Sequence, residues 1–529
     1  MKLKTITIEG YKSIEKIVFD LDYSIKEQTY ALIGINEAGK SSFLEAINSF
    51  NGEKENIDKN FFYKDNVNSA KSIEITFEYE QCESLTNGIK EKLKGIGVND
   101  SVVDRIEVEK VSLKKVFEAG NSGRSEIKKI IFKDNLSGCV YSKNNKKFTI
   151  QTENPPKEKG EVSKTDAISL KNYLIENVDL LNICLSNMHN ILFWKSSDKY
   201  LIDKPVNLLT FQASPRKHSI PLANCFNLIG IKDEDIPKKI NIILSDSVER
   251  KNFISKLEED ITSHVKSIWK EHQVKIKFDI NENALTFLVE DDKVEHNSEK
   301  INQRSDGFRQ FISFLLSISA ENKTKELKNY ILLIDEPEQH LHPKAAEFLK
   351  ENLIKITSKA TDKNIVFFAT HSLFMIDQEN LKRNYIVTKK DNKKSKIKQV
   401  NNTINTYSAI IYEVFNVYTN DYHNELIGWI QTKKDIMNFK DLNNYFKNNK
   451  MGTRDKYREI KKDNSGKVHR GIALSLYIRH QIHHPENNEN DKFSKNDLIK
   501  SINELVELKK KIIDGTDINN EKQKKSIEP

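Results

Sequence analysis

The feature that most narrows the fold is a strand, loop and helix in immediate succession near the N-terminus. Tyr30-Ala31-Leu32-Ile33 is a short apolar run of the kind buried in a sheet, and Ser41 to Ile47 places Phe43, Leu44 and Ile47 at helical spacing. Between them lies Gly34-Ile35-Asn36-Glu37-Ala38-Gly39-Lys40-Ser41. Gly34 and Gly39 bracket a loop that must turn its backbone N–H groups inward and admit an anion closely, which suits residues without Cβ. The anion then rests at a helix N-terminus. Gly34, Asn36, Glu37, Ala38, Gly39, Lys40, Ser41 and Ser42 are therefore the expected phosphate-binding residues. Lys40 reaches the β- and γ-phosphates, and the Ser41 hydroxyl sits on Mg²⁺.

Two later segments supply what such a loop lacks. Ile331-Leu332-Leu333-Ile334 fits a strand buried on both faces and delivers Asp335 and Glu336 at its C-terminal end, where α/β sheets place their ligands. Asp335 is the expected metal-shell carboxylate and Glu336 the residue that polarises the attacking water. Pro337 stops the strand there. Ile365-Val366-Phe367-Phe368-Ala369 is a further buried strand, and it presents His371 at the matching end as a sensor of the cleaved phosphate. Glu336, His371 and Lys40 are thus the candidate catalytic residues, with ATP and Mg²⁺ as cofactors. Ser305-Asp306-Gly307 opens a helix with Phe311, Phe314, Leu315 and Ile318 on its apolar face. Ser305 reads both as an N-cap and, with Gly307, as a donor set for a γ-phosphate held by another subunit.

In this order the motifs resemble those of the ATP-binding-cassette ATPases of the SMC, RecF and OLD-like group. Ser305-Asp306-Gly307 stands at their signature position. The opening Leu3 to Ile14 is similar to their first strand and turn, and Glu338-Gln339-His340-Leu341-His342-Pro343 to the segment after their Walker B carboxylates. The resemblance covers about residues 1–80 and 300–390. It implies that two heads sandwich two ATPs, each site completed by the other head's Ser305 and Gly307, so that the first partner is a second copy of the chain, as a dimer or higher oligomer. A Q-loop glutamine, which the family places between P-loop and signature, is not assignable.

The expected fold class is α/β: an ABC-type P-loop ATPase head with a mixed sheet, an α+β insertion lobe and an all-α C-terminal domain. The boundaries read as 1–85 and 241–400 for the two halves of the head, 86–240 for the insertion and 401–529 for the helical tail. Ile73, Ile75, Phe77 and Tyr79 alternate as a half-buried strand ending the first half. Within the insertion, 106–118 and 127–133 read as strands and Asp166 to Leu192 as a long helix, with Phe193 to Phe211 docking the lobe onto the head. Ile254, Leu257, Ile261, Val265 and Ile268 trace a helical stripe before a hairpin near 274–280 and 284–289. Heptads are too few for a coiled-coil arm.

At 31% charged and 37% hydrophobic residues, the composition is that of a soluble globular chain. No apolar run approaches the ~20 residues of a membrane helix, and a strand follows the N-terminus directly, so a cytoplasmic protein is expected without membrane contact. Cys82, Cys139, Cys184 and Cys225 show no Cys-x-x-Cys spacing. A net charge of +8 does not by itself establish nucleic-acid binding. The lysine cluster at 389–398 reads as a solvated hairpin between two short strands, with a phosphate-tracking patch as the alternative.

The tail carries Tyr477-Ile478-Arg479-His480-Gln481-Ile482-His483-His484-Pro485-Glu486-Asn487. Arg479 and His484 resemble the Arg-x4-His motif of HEPN ribonucleases, in which a His manages the 2′-OH proton and an Arg stabilises phosphorane charge. The same residues also read as an interface or partner-docking segment, and His480, His483 and His484 as a zinc site. Together with Tyr422 to Gly428 and Phe193-Trp194-Lys195, this segment resembles ATPase subunits of bacterial anti-phage systems of the Septu type and retron-linked ATPases. That resemblance implies a sensor-regulator that assembles with a separate nuclease effector. No Toprim constellation follows residue 390. The alternatives are an ATP-gated ribonuclease with a HEPN-like tail and a RecF-like repair ATPase for which DNA would be the partner.

Overall fold

Short apolar runs bounded by polar turns make the strands of the head, and their order fixes where its functional loops fall. In this computed structural model the described residues are 1–51, 58–64, 71–96, 98, 100–118, 121–133, 139–142, 147–150, 167–169, 173–174, 178–268, 274–291, 298–304, 308–310, 312–314, 316–317, 328–390, 394–400, 406–459 and 467–518. The chain divides into two units, Met1–Gln399 and Val400–Pro529.

The first unit is built on a mixed six-stranded sheet in the order Asn190–Lys195, Tyr330–Asp335, Ile365–Thr370, Thr29–Ile33, Asn384–Lys390, Lys394–Gln399. The first five strands are parallel and the last is antiparallel. Thr29–Ile33 and Ile365–Thr370 are buried at every position, as strands covered on both faces must be. An antiparallel sheet lies against the parallel one, in the order Ile14–Asp20, Lys2–Tyr11, Ser72–Glu80, Val108–Glu118, Arg124–Phe132.

The helix Lys40–Ser49 fills the space between these sheets with Phe43, Leu44, Ala46 and Ile47. An aromatic cluster joins the three layers. Phe19 of the antiparallel sheet meets Tyr30, Phe43, Phe367 and Tyr385 at centroid separations of 5.5, 5.5, 5.2 and 4.5 Å. Such pairs add roughly 0.5–1.5 kcal/mol each beyond area burial, so the helix that opens at Lys40 is fixed from both sides.

The strands read at 106–118 and 127–133 are present as Val108–Glu118 and Arg124–Phe132, and they join the antiparallel sheet through Ser72–Glu80. The first 80 residues thus feed two sheets, with only Thr29–Ile33 in the parallel one. The long helix expected from Asp166 to Leu192 is not there. Ala167–Ser169 is a strand, Leu180–Asn187 a short helix, and Asn190–Lys195 an edge strand paired in parallel with Tyr330–Asp335. The pattern misleads because Ile191, Leu192, Phe193 and Trp194 are a continuous apolar run, in which a buried strand and a buried helix segment look alike. Trp194 is fully buried as part of the sheet, packed edge-on against Phe314 at 5.2 Å.

The stripe at 254–268 is the helix Ser247–Ile268, and the hairpin is Val274–Asn281 with Ala284–Asp291. The lysine cluster is indeed a hairpin, Asn384–Lys390 with Lys394–Gln399. The helix expected after Ser305 is helical at 308–310, 312–314 and 316–317, with Phe314 of its expected apolar face buried beside Ile312 and Leu316; Phe311, Leu315 and Ile318 lie outside the described residues.

The second unit packs the helices Tyr407–Phe415, Asn420–Lys434, Phe439–Asn448, Leu474–His483 and Lys495–Ile513 around Leu426, Ile430, Phe446, Ile478 and Leu505. It is not all-α. Thr453–Glu459 and Lys467–Ala473 form an antiparallel hairpin. Thr453-Arg454-Asp455-Lys456-Tyr457-Arg458-Glu459 has no alternating apolar stripe, so the period-two signal that announces a strand is missing.

Candidate functional site

The C-terminal ends of the central parallel strands converge on one edge, and the residues expected at the nucleotide meet there. Gly39 has φ 107°, and Glu37 precedes it at φ 64°, so the loop turns sharply enough to open the helix at Lys40. A Cβ on Gly34 would lie 2.5 Å from the Val387 carbonyl oxygen, and one on Gly39 would lie 2.1 Å from Ser395 Oγ. Both glycines are required by close packing of the loop on the strand pair 384–399. Ser395 donates to the Ala38 carbonyl at 2.7 Å and lies 2.7 Å from Ser13 Oγ, which pins the loop from its outer side.

Lys40 is buried, and its ammonium donates to the carbonyls of Gly34 at 2.8 Å and Ile35 at 3.0 Å. It lies 3.8 Å from Glu336 Oε1. Burial lowers the Lys40 pKa against the opposing pull of Glu336, Asp335 and Glu338. Ser41 Oγ donates to Asp335 Oδ1 at 2.9 Å. Burial pushes the Asp335 carboxyl above its usual range; the Ser41 hydrogen bond opposes that rise, Glu336 and Glu45 add to it, and Lys40 opposes it. A buried carboxylate with too little compensating charge beside a hydroxyl is a hard-oxygen pair suited to Mg²⁺.

Glu336 adopts φ 50°, a left-handed conformation uncommon outside glycine, and its N–H donates to the Ala369 carbonyl at 3.0 Å. That turn keeps its carboxylate at the sheet edge, where His371 Nδ1 lies 3.2 Å from Oε1. Beneath it, the buried Glu338 accepts from Thr370 Oγ1 at 2.5 Å, and Thr370 Oγ1 accepts from the Ser372 N–H at 2.9 Å. This chain ties the turn after Asp335 to the segment carrying His371.

Lys12, Ser13, Asn36, Glu37, Gly39, Ser42 and Lys389 join Lys40, Ser41 and Glu336 around an open cleft of ≈ 400 Å³. Gly34, Ala38, Asp335 and His371 are not among its lining residues; the Gly34 carbonyl accepts from Lys40 and the Ala38 carbonyl from Ser395. Ser305 and Gly307 lie outside the described residues. Sequence reasoning missed the role of Glu45, one helical turn beyond Ser41. Glu45 pairs with Lys12 and, at 3.4 Å, with Lys195, whose Cα is the register partner of Asp335. Ser196 follows it and accepts from Gln310 Nε2 at 3.1 Å. Lys195 and Ser196 thus occupy the strand end beside Asp335. Lys195 was marked only through the likeness of Phe193-Trp194-Lys195, and Ser196 by nothing, because a helix drawn to Leu192 hides the strand 190–195 and its end.

In the C-terminal unit, Arg479 Nη1 donates to Gln431 Oε1 at 2.6 Å, while His484 Nδ1 lies 3.2 Å from Glu486 Oε1. The His484 ring stacks on His480 with centroids 6.3 Å apart. Among the described residues no hydrogen bond joins Arg479 to His484, and no group of three His, Cys, Asp or Glu residues is placed to hold a metal. No helix among the described residues is long and apolar enough to cross a membrane.

Residues 1–376 match the AAA ATPase domain family, AAA_15. No curated protein matches the chain. Solved structures similar to it include an SMC head bound to the C-terminal winged-helix domain of ScpA, at 12% identity over 75% of this chain and 97% of that one, with a TM-score of 0.40. An SMC head domain from Thermotoga maritima is 14% identical over 76% of this chain and 100% of its own length, with a TM-score of 0.35. An Smc head with extended coiled coil from Pyrococcus furiosus, bound to the C-terminal domain of ScpA, is 11% identical over 75% and 95%, with a TM-score of 0.38. A family match spanning more than half of the chain, with a glycine-bracketed lysine and two carboxylates at one sheet edge, makes this chain a member of the AAA ATPase domain family and an ATPase.

Proposed function

We propose that the chain binds Mg-ATP at the cleft beneath Lys12 and Lys389 and hydrolyses it slowly as a nucleotide-gated switch. The carrying observation is the convergence of Lys40, Ser41, Asp335, Glu336 and His371 within direct reach of one another. Lys40 and the loop N–H groups receive the β- and γ-phosphates, and Ser41 and Asp335 hold the metal. Mg²⁺, when bound, neutralises charge on the phosphate oxygens. Glu336 would orient and polarise the attacking water from its strained turn, and His371, 3.2 Å from Glu336, would sense the γ-phosphate. Lys389 and Lys12, the latter paired with Glu45, also line the cleft.

The second part of the proposal is that two heads close over two nucleotides, Ser305 and Gly307 of each completing the site of its mate. The resemblance of the motif set to the ATP-binding-cassette group supports this. Complementation tests it. Chains carrying Lys40→Ala or Ser305→Arg are expected to be inactive alone. Mixed, they should recover about a quarter of wild-type ATPase activity, since half of randomly paired dimers hold one intact composite site. No recovery on mixing would refute composite sites.

The biological role proposed is that of a sensor-regulator in an anti-phage complex, holding a separate nuclease in a state set by the nucleotide. It rests on the likeness of Tyr422 to Gly428 and Arg479 to Asn487 to Septu-type and retron-linked subunits. In the structure Arg479 is engaged by Gln431 and His484 by Glu486, an arrangement that favours docking over RNA cleavage. Incubation of the purified chain with tRNA, beside an Arg479→Ala/His484→Ala variant, decides between them. Equal RNA integrity supports docking, and cleavage by the wild type alone supports the ribonuclease.

A further inference from the structure

The opposite end of the parallel sheet holds a cavity that the ATPase reaction does not use. Its volume is ≈ 420 Å³, and Lys2, Lys26, Lys359 and Lys363 line it with Glu83 as the one carboxylate. Among the described residues none of these four lysines is ion-paired. Lys26, Lys359 and Lys363 are exposed around its open rim, while Lys2 is half-buried with its ammonium 3.8 Å over the Tyr23 ring. Four cations set around one cavity with a single carboxylate make it electropositive, which favours an anion carrying several charges.

The lysine-bearing wall is built rather than accidental. Lys363 sits in a left-handed turn at φ 52°, a conformation uncommon for a residue with a side chain. Its carbonyl accepts from Nε2 of the buried His189 at 3.0 Å, and the preceding Asp362 carbonyl accepts from the Asn329 N–H at 2.6 Å. The buried Asn364 side chain then accepts from the Tyr330 N–H at 3.2 Å. His189 is stacked on Tyr79 with centroids 5.7 Å apart, and its Nδ1 has no hydrogen-bond partner. Burial holds this imidazole at a pKa of about 3, so it stays neutral. Each pinning residue stands just before a strand of the parallel sheet, and those strands end at Lys195, Asp335 and Thr370 beside the nucleotide cleft. Six-residue strands separate the two ends by roughly 20 Å at ~3.3 Å per residue.

We propose that this cavity is a second anion site, for a small molecule carrying two or more linked phosphates, distinct from the P-loop. A nucleotide polyphosphate and free inorganic polyphosphate share that chemistry, and four lysines around about 400 Å³ suit a chain of two or three phosphates.

The test uses the full chain carrying Lys40→Ala, so that the P-loop does not contribute and failure of the nucleotide-switch reading is separable. Titration calorimetry with inorganic tripolyphosphate should show one remaining equivalent. Adding Lys359→Ala, or Lys363→Asn, which tolerates the left-handed turn, should weaken it by roughly tenfold each. Matched thermal unfolding confirms that these variants fold. An ATP arm separates the sources: ATP tighter than tripolyphosphate assigns a nucleotide, and equal affinity assigns the phosphate chain alone. No binding of either probe to the Lys40→Ala chain overturns the proposal. So does binding that is unchanged by both lysine substitutions, or retention of a DNA duplex when neither small anion binds.

Discussion

Replacement of Gly39 by alanine measures how tightly the phosphate loop is held. The new Cβ meets Ser395 Oγ at 2.1 Å, Ser395 Cβ at 2.8 Å and Ser13 Oγ at 3.1 Å, on a backbone at φ 107°. Two costs follow. A side chain in that region of φ costs about 1–3 kcal/mol. Relief of the clash displaces Ser395 from its hydrogen bonds to Ala38 and Ser13, at about 0.5–1.5 kcal/mol each. Gly39→Ala should therefore destabilise the Met1–Gln399 unit by about 2–6 kcal/mol in urea unfolding. In a Ser395→Gly background the Ser395 bonds are already absent, so the same substitution should cost only the conformational part. The two changes should then couple by about 1–3 kcal/mol in a double-mutant cycle. A coupling indistinguishable from zero would show that Ser395 does not limit the space at Gly39. The hairpin 384–399 would then not clamp the phosphate loop through Ser395.

Other expectations follow from buried ionisable groups. Asp335→Asn should raise the stability of the nucleotide-free chain at pH 7 while lowering ATP hydrolysis roughly 10²-fold or more, as read by unfolding and phosphate release on one preparation. The sign follows from burial: the Asp335 pKa is raised on folding, so its stability contribution is full below the unfolded pKa and lost as pH rises. His423 behaves oppositely. Burial depresses its pKa to about 4, so the second unit should lose up to about 3 kcal/mol as pH falls from about 6.5 toward 4. His423→Gln should flatten that dependence, and an unchanged slope would refute the assignment. Glu45→Gln should loosen Lys12 and Lys195 and weaken Mg-ATP binding without unfolding the helix, as seen by calorimetry beside circular dichroism.

How much of this was legible in the chain varied with the kind of signal. The loop at 34–41 and the strands ending at Asp335 and Thr370 were readable because a short, fully apolar run next to glycine or paired carboxylates is seldom anything but a buried strand feeding a ligand loop. The hairpin at 274–291 was readable for a similar reason, since alternation in both strands marks one buried face. Asn190–Lys195 was not, because an edge strand packed on Phe314 carries the same apolar run as a helix. Its loss hid Lys195 and Ser196, which matter only as the end of that strand. The contacts of Ser395 and Glu45 join positions far apart in sequence, through side chains too common to form a motif. The hairpin at 453–473 escaped because its first strand is mostly charged and carries no alternating apolar pattern.

Sedimentation of the Glu336→Gln chain with and without Mg-ATP tests most directly whether two heads close on the nucleotide. The substitution keeps the shape of the residue at φ 50° but removes the carboxylate that polarises water, so ATP should bind and stay. The expected result is a shift to twice the mass, or a higher even multiple, on ATP and none on ADP, abolished by Ser305→Arg. A chain of unchanged mass that still binds ATP would contradict the account.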